Sequence, residues 1–116
     1  MSEKTINSDL IRGHIDTIIL KLLLDNDNYG YEIMKAVSAN SGGNYELKEP
    51  SLYTSLKRLE KQGEIQSYWG NESQGGRRKY YRITEQGKLS LQKSIKEWLF
   101  AKKIIDQLLL GGEEHE

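Results

Sequence analysis

Cysteine is absent from the 116 residues, which excludes disulfides and thiolate metal centres and suits a reducing cytoplasm. Histidine is scarce too: His14 and His115 are the two in the chain, too few and too far apart for a metal cluster. No metal site and no cofactor is therefore expected. The serines have no nearby base in a recognisable nucleophile pattern, which argues against an enzyme. A single proline leaves long stretches free to be helical. Apolar runs are short, as at Ile18–Leu20 and, beyond Lys21, Leu22–Leu24, so no membrane-spanning helix is expected. The first residues lack a basic segment followed by an apolar one, so no secretory leader is read either, and the expected location is cytoplasmic.

Net charge is also lacking, since 17 Lys/Arg balance 17 Asp/Glu. The balance conceals an uneven distribution. Residues 48–88 hold nine basic and five acidic side chains, a surplus of +4, and the remainder is correspondingly acidic. A locally basic surface is the minimum footprint for phosphate contact.

Periodicity organises the rest. From about residue 8 to 24, Ile11, Ile15, Ile18 and Leu22 recur at helical spacing, with Ile19 and Leu23 beside them. The run 25–28 reads as a turn with Asn28 as N-cap of a second helix reaching about Ala39, buried through Ile33, Met34 and Val37. A short extended connector at 45–48 follows. Pro50 suits the first turn of a third helix and Gly63 the left-handed position beyond its end. That helix is expected to bury Leu52, Leu56 and Leu59, leaving Ser51, Thr54, Ser55, Lys57 and Arg58 outside. Ile65–Trp69 and Lys79–Ile83 are strand-like, separated by a polar loop containing Gly75-Gly76. Thr84 then caps a long last helix reaching about Leu110.

The fold class predicted is mainly α with a small β-hairpin: a winged helix-turn-helix over 8–83, a C-terminal dimerisation helix over 84–110, and flexible tails at 1–7 and 111–116. In this architecture the third helix enters a major groove. Ser51 and Thr54 can reach phosphate or base edges, and Lys57 and Arg58 supply charge and guanine-competent donors. The hairpin segment 75–82 carries Arg77, Arg78, Lys79 and Arg82. Alternation turns Tyr81 and Ile83 inward and Tyr80 and Arg82 outward, so the wing can lie along a phosphate backbone or enter a minor groove. Double-stranded DNA is the expected partner; a winged-helix module that binds protein instead is the alternative.

Four motifs in order carry a resemblance: Tyr29-Gly30-Tyr31-Glu32-Ile33; Ser51-Leu52-Tyr53 with Leu56-Lys57-Arg58-Leu59-Glu60 and Gly63; Gly75-Gly76-Arg77-Arg78-Lys79-Tyr80-Tyr81; and Thr84-x-x-Gly87. Together they resemble the PadR family of transcriptional regulators from about residue 10 to 110, and the short last helix is similar to that of the small LmrR-like, multidrug-sensing subfamily. The resemblance implies a homodimeric repressor of a transporter or detoxification promoter, with the last helix packed on the first helix of a partner chain. It places Tyr29 and Tyr31 near the DNA backbone, Ser51, Tyr53, Thr54, Lys57 and Arg58 on the reading helix, and Gly76, Arg77, Arg78 and Lys79 in the wing. Tyr53 has an equally good packing role against the second helix.

Leu91, Ile95, Trp98, Lys102, Ile105 and Leu109 follow alternating four- and three-residue steps, an a/d seam with one polar interruption. Trp98 sits mid-seam, where two copies could form a flat slot for a planar aromatic molecule or simply anchor a dimer. The resemblance implies an aromatic effector there, with Leu91, Ile95, Thr17 and Lys21 lining the same space. Lys102, one turn on, and Lys21 would oppose a cationic ligand unless Asp16, Glu97 or Asp106 neutralised them.

Overall fold

The structure, a computed structural model, describes residues 5–70 and 76–111. Gly75 of the hairpin motif and His115 of the tail lie outside the described residues.

The first apolar stripe does not form one helix. It is divided into α1 (Ser8–Ile11), a 3-10 turn (Arg12–His14) and α2 (Ile15–Asp25). Asn7 caps α1 by accepting from the Asp9 N–H at 2.8 Å. The Ile6 N–H donates to the Asn44 carbonyl at 2.9 Å. This bond links the segment before α1 to the loop after α3. From α2, Ile19, Leu20 and Leu23 are buried.

Asn28 is not the helix cap that its residue type suggests. With Tyr29 it forms a short strand, β1, and α3 (Gly30–Asn40) begins after Tyr29, whose side chain makes no capping hydrogen bond. The cause is a distant strand: β1 pairs antiparallel with β3 (Lys79–Ile83), with Asn28 opposite Tyr81 and Tyr29 opposite Tyr80. β3 also pairs with β2 (Ile65–Trp69), giving the sheet order β1-β3-β2 among the described residues. The winged hairpin therefore gains a third strand and a fixed attachment to the body.

α4 (Glu49–Lys61) starts with Pro50 in its first turn and is followed by Gly63 at φ 77°. Leu52, Leu56 and Leu59 are buried as expected, but so is Ser55, at 2% exposure. Ser55 sits one turn before Leu59 on the side that packs toward α2, so its hydroxyl is enclosed and must be hydrogen-bonded. These leucines meet Ile33 and Val37 of α3, Leu47 of the connector, and Ile65, Tyr81 and Ile83 of the sheet in one core.

Two glycines in the sequence motifs have steric reasons. A Cβ on Gly30 would collide with the Tyr53 hydroxyl, and one on Gly87 with the backbone carbonyl of Glu64. Thr84 adds a polar tie at the second point: its hydroxyl accepts from the Gly87 N–H at 3.0 Å and donates to the Gly63 carbonyl at 2.7 Å. That clamp launches α5 (Glu85–Leu110) from the end of the core. At about 1.5 Å per residue its 26 residues run some 39 Å. Beyond Leu91 none of its residues is buried, and Gly111 ends it in the left-handed conformation at φ 76°.

Candidate nucleic-acid interface and the adjoining cleft

α4 divides cleanly into a buried and an open side. Opposite the leucines, Pro50, Thr54, Lys57 and Lys61 follow one another at four-, three- and four-residue steps, all exposed. Lys61 belongs to this line although the sequence reading passed it over; the spacing from Thr54 and Lys57 was the available signal. Ser51 is exposed on one flank of the line. Tyr53, on the other flank, is 43% exposed and has its hydroxyl against Gly30, so it packs on α3 while keeping part of its ring in solvent. Arg58 has a partner: its Nε and Nη2 donate to the two carboxylate oxygens of Asp16 at 2.8 and 2.9 Å. Of the three acids expected to neutralise Lys21 or Lys102, Asp106 does pair with Lys102, while Glu97 pairs with Lys93 and Asp16 with Arg58.

The wing has two faces. Tyr81 and Ile83 enter the core, as alternation requires, and Arg82 points out. On the outward face the aromatic rings form a ladder across the three strands: Tyr29 meets Tyr80 edge-on at 5.3 Å, and Tyr80 stacks on Tyr68 at 5.7 Å. Cations cover its ends, with Arg78 at 4.8 Å from the Tyr29 ring and Arg82 at 4.9 Å from the Tyr68 ring. Asp27 fastens the sheet to the end of α2, accepting from the Tyr68 hydroxyl at 2.6 Å and pairing with Arg82 Nε at 3.4 Å. The hydrogen bond to Asp27 raises the Tyr68 pKa above its ordinary value, with burial and the Asp27 charge adding to it, so Tyr68 stays a donor.

Nearer the hairpin tip, Arg77 lies 5.5 Å from the ring of Trp69. Trp69 is 57% exposed, and the sequence reading treated it merely as a strand residue. Gly76, Arg77, Arg78 and Lys79 are all exposed, and Gly76 has φ 89°. Exposed cation–π contacts contribute about 0.5–1 kcal/mol each, enough to pre-orient the arginines and too little to prevent their moving to a phosphate. Tyr31 is exposed at the start of α3 with Lys35 near its ring, while half-buried Tyr29 holds the foot of the ladder.

On the other side of α2 lies an apolar cleft of about 580 Å³ between α1, α2 and α5. Leu91, Ile95, Trp98, Thr17 and Lys21 line it, as expected, together with Ile6, Leu10, His14 and Tyr45, which the sequence reading did not place there. Trp98 packs edge-on against the His14 ring at 4.8 Å within the same chain. His14 makes no capping hydrogen bond at the start of α2, so its role is packing. Lys102 does not line this cleft. It sits one turn farther along α5, and its amine is drawn to Asp106 at 3.6 Å. Lys21 is neutralised by Asp25, at 3.3 Å, not by Asp16.

With this geometry in place, similarity to known proteins decides the family. Residues 19–93 match the transcriptional regulator PadR-like family. The chain belongs to that family. It is a DNA-binding transcriptional regulator, not an enzyme. A transcriptional regulator from Clostridium thermocellum is 46% identical and superposes with a TM-score of 0.84 over 90% of this chain and 99% of its own. A PadR family transcription regulator from Clostridium difficile is 43% identical, with a TM-score of 0.71 over 83% of this chain and 98% of its own. An uncharacterized protein of Lysinibacillus sphaericus is 48% identical over 108 residues, 93% of this chain and 99% of the relative. Among the described residues no helix is long and apolar enough to cross a membrane.

Proposed function

We propose that this PadR-like regulator acts as a homodimeric repressor that sets two copies of α4 into successive major grooves of a two-fold symmetric operator. The observation that carries this reading is the division of α4, with Leu52, Leu56 and Leu59 in the core and Thr54, Lys57 and Lys61 on its open side. Ser51, Thr54 and Lys57 read or brace the groove, and Tyr31 and Tyr53 approach the flanking backbone. Gly76, Arg77, Arg78 and Lys79 lie along phosphates, with Tyr29 bracing Arg78 from behind. Residues 8–83 form the DNA-binding part, and 84–110 the dimerisation helix, packed through its exposed apolar side on the partner chain. The protein works on DNA in the cytoplasm, at a promoter of a transporter or detoxification gene.

The Trp98 cleft supplies the off-switch in this reading. Its lining is largely apolar and includes Lys21, paired with Asp25, which favours a planar neutral aromatic effector, or a phenolate that draws Lys21 away from Asp25, held at the dimer interface against Trp98, Ile95, Leu91 and Thr17. Selection of bound duplexes from a random DNA pool is the direct test. A two-fold symmetric consensus is expected, with half-sites about one helical turn apart. Failure to enrich any sequence would overturn the reading and leave a protein-interaction module. Repeating the binding with aromatic compounds tests the switch: release of DNA should accompany quenching of Trp98 fluorescence, and Trp98→Ala should abolish both.

A further inference from the structure

Acidic side chains flank α2: Asp16, in its first turn, faces α4, and Asp27, two residues beyond its end, fastens the wing. The Asp16 contact is two-pronged. Arg58 Nε meets one carboxylate oxygen at 2.8 Å and Nη2 the other at 2.9 Å, and the same Nη2 donates to the Ser55 hydroxyl at 3.2 Å. Ser55 is itself buried, one turn earlier on α4. The guanidinium is therefore drawn back along its own helix and toward α2. Burial works against the Asp16 carboxylate, but hydrogen bonds from Arg58 and Ser55 and the Arg58 charge outweigh it and hold the group below the usual carboxylate range.

An arginine recognises guanine or phosphate through a pair of parallel N–H groups. Here the Nε/Nη2 pair is already spent inside the protein. The residues on the open line, Thr54, Lys57 and Lys61, are all exposed. We propose that Asp16 is a positioning residue for DNA recognition: it makes Arg58 a tether that fixes the rotation and depth of α4, not a group that reads bases. Reading then falls to Ser51, Thr54 and Lys57, whose placement depends on the tether. This rests on the proposed role of α4 in the major groove.

The two ideas predict opposite signs. If Arg58 read DNA, removing the Asp16 charge would free a cation beside the polyanion and tighten binding. If Arg58 is a tether, the same change weakens specific binding even though a negative charge has been removed. The full-length chain is titrated with its selected duplex and with an unrelated duplex across a range of salt, for the parent, Asp16→Asn, Asp16→Glu, Arg58→Met, the double variant Asp16→Asn/Arg58→Met and Lys57→Met.

For Asp16→Asn, roughly tenfold weaker binding to the selected duplex is expected, a loss of about 1.4 kcal/mol. Its binding to the unrelated duplex should be equal or tighter, and its salt slope unchanged. Arg58→Met should lose a similar amount, the double variant no more than either single one, and Asp16→Glu should recover part of the loss. Lys57→Met, which removes one contact from each chain of the proposed dimer, should instead flatten the salt slope by about 1.8 on both duplexes. If Lys57→Met changes nothing, the groove reading itself fails. If Lys57→Met behaves as a phosphate contact while Asp16→Asn binds the selected duplex as well as the parent or better, the tether alone is overturned. Equal losses on both duplexes with a lowered melting temperature would also overturn it, by reducing the pair to fold stability.

Discussion

The DNA-facing end and the outer half of α5 treat their surfaces in opposite ways. On the wing and α4, the long side chains are mostly engaged within the chain: Arg77 with Trp69, Arg78 with Tyr29, Arg82 with Tyr68 and Asp27, Arg58 with Asp16. On α5, Leu99, Phe100, Leu108, Leu109 and Leu110 stand 58–76% exposed. Phe100 is two residues past Trp98, on the far side of the helix from the seam, so the apolar surface is wider than a two-position stripe. Cations can be satisfied by water and by weak local partners, then re-paired with phosphate. Apolar area of this extent finds no such compromise in water. The first region is complete as a fold and open as a binding surface. The second leaves apolar surface uncovered in a single chain.

The largest expected effect comes from erasing that apolar surface. Replacing Leu99, Phe100, Leu108 and Leu109 together by Ser should convert the proposed dimer to monomer at micromolar concentration, as read by sedimentation, with the winged-helix core still folded by circular dichroism. Unchanged self-association would show that α5 is completed by something other than a second copy. Next in size is Arg77→Ala with Arg78→Ala. Losing two phosphate contacts per chain, four in the proposed dimer, should flatten the salt slope by about 3.6 and weaken duplex binding by about two orders of magnitude or more at moderate salt. Self-association should not change, and a loss of dimer in this variant would erase the contrast between the two regions.

A smaller effect probes the joint where they meet. Gly87→Ala adds a methyl group against the Glu64 carbonyl, where the strand and helix backbones approach too closely for a Cβ. About 1–3 kcal/mol of destabilisation is expected from such overpacking, measured by urea unfolding. A neutral result would mean that α5 can lift away from the hairpin at little cost, and that the two regions are less firmly joined than the contact suggests.

Legibility in the sequence followed the range of the interactions. The strands Ile65–Trp69 and Lys79–Ile83, the Thr84 cap and the Gly63 position were readable because alternation, capping and left-handed glycine are local rules. Asn28 misled because its backbone was claimed by a strand some fifty residues away, which no local rule reports. The break at Arg12–His14 was hidden by an apolar stripe that continues through it. Ser55 looked like surface because a buried hydroxyl is tolerable only with a partner, and that partner is held in place by Asp16, far off in the chain. The cleft residues Leu91, Ile95, Trp98, Thr17 and Lys21 were found through seam spacing and resemblance; Ile6, Leu10 and Tyr45 needed the folding-back of the N-terminal segment to be seen.

The smallest effect concerns pH, and it separates the two regions by chemistry alone. Asp16 has its folded-state pKa depressed; burial opposes the shift, and the Arg58 and Ser55 hydrogen bonds with the Arg58 charge exceed it. A depressed carboxylate contributes stability that is fully present above its unfolded value, about 3.9, and that is lost as pH falls through the lower folded value. The side chains of the pair are 30% and 47% exposed, so solvent screening limits the contribution to under about 1 kcal/mol. Acidification below about pH 4 should therefore lower the unfolding midpoint of the parent slightly more than that of Asp16→Asn, whose residue 16 has no proton to take up. The exposed leucines of α5 do not titrate, so a variant lacking them should keep the same acid sensitivity. Parallel acid profiles for the parent and Asp16→Asn would show that the Asp16–Arg58 pair adds no stability in solution.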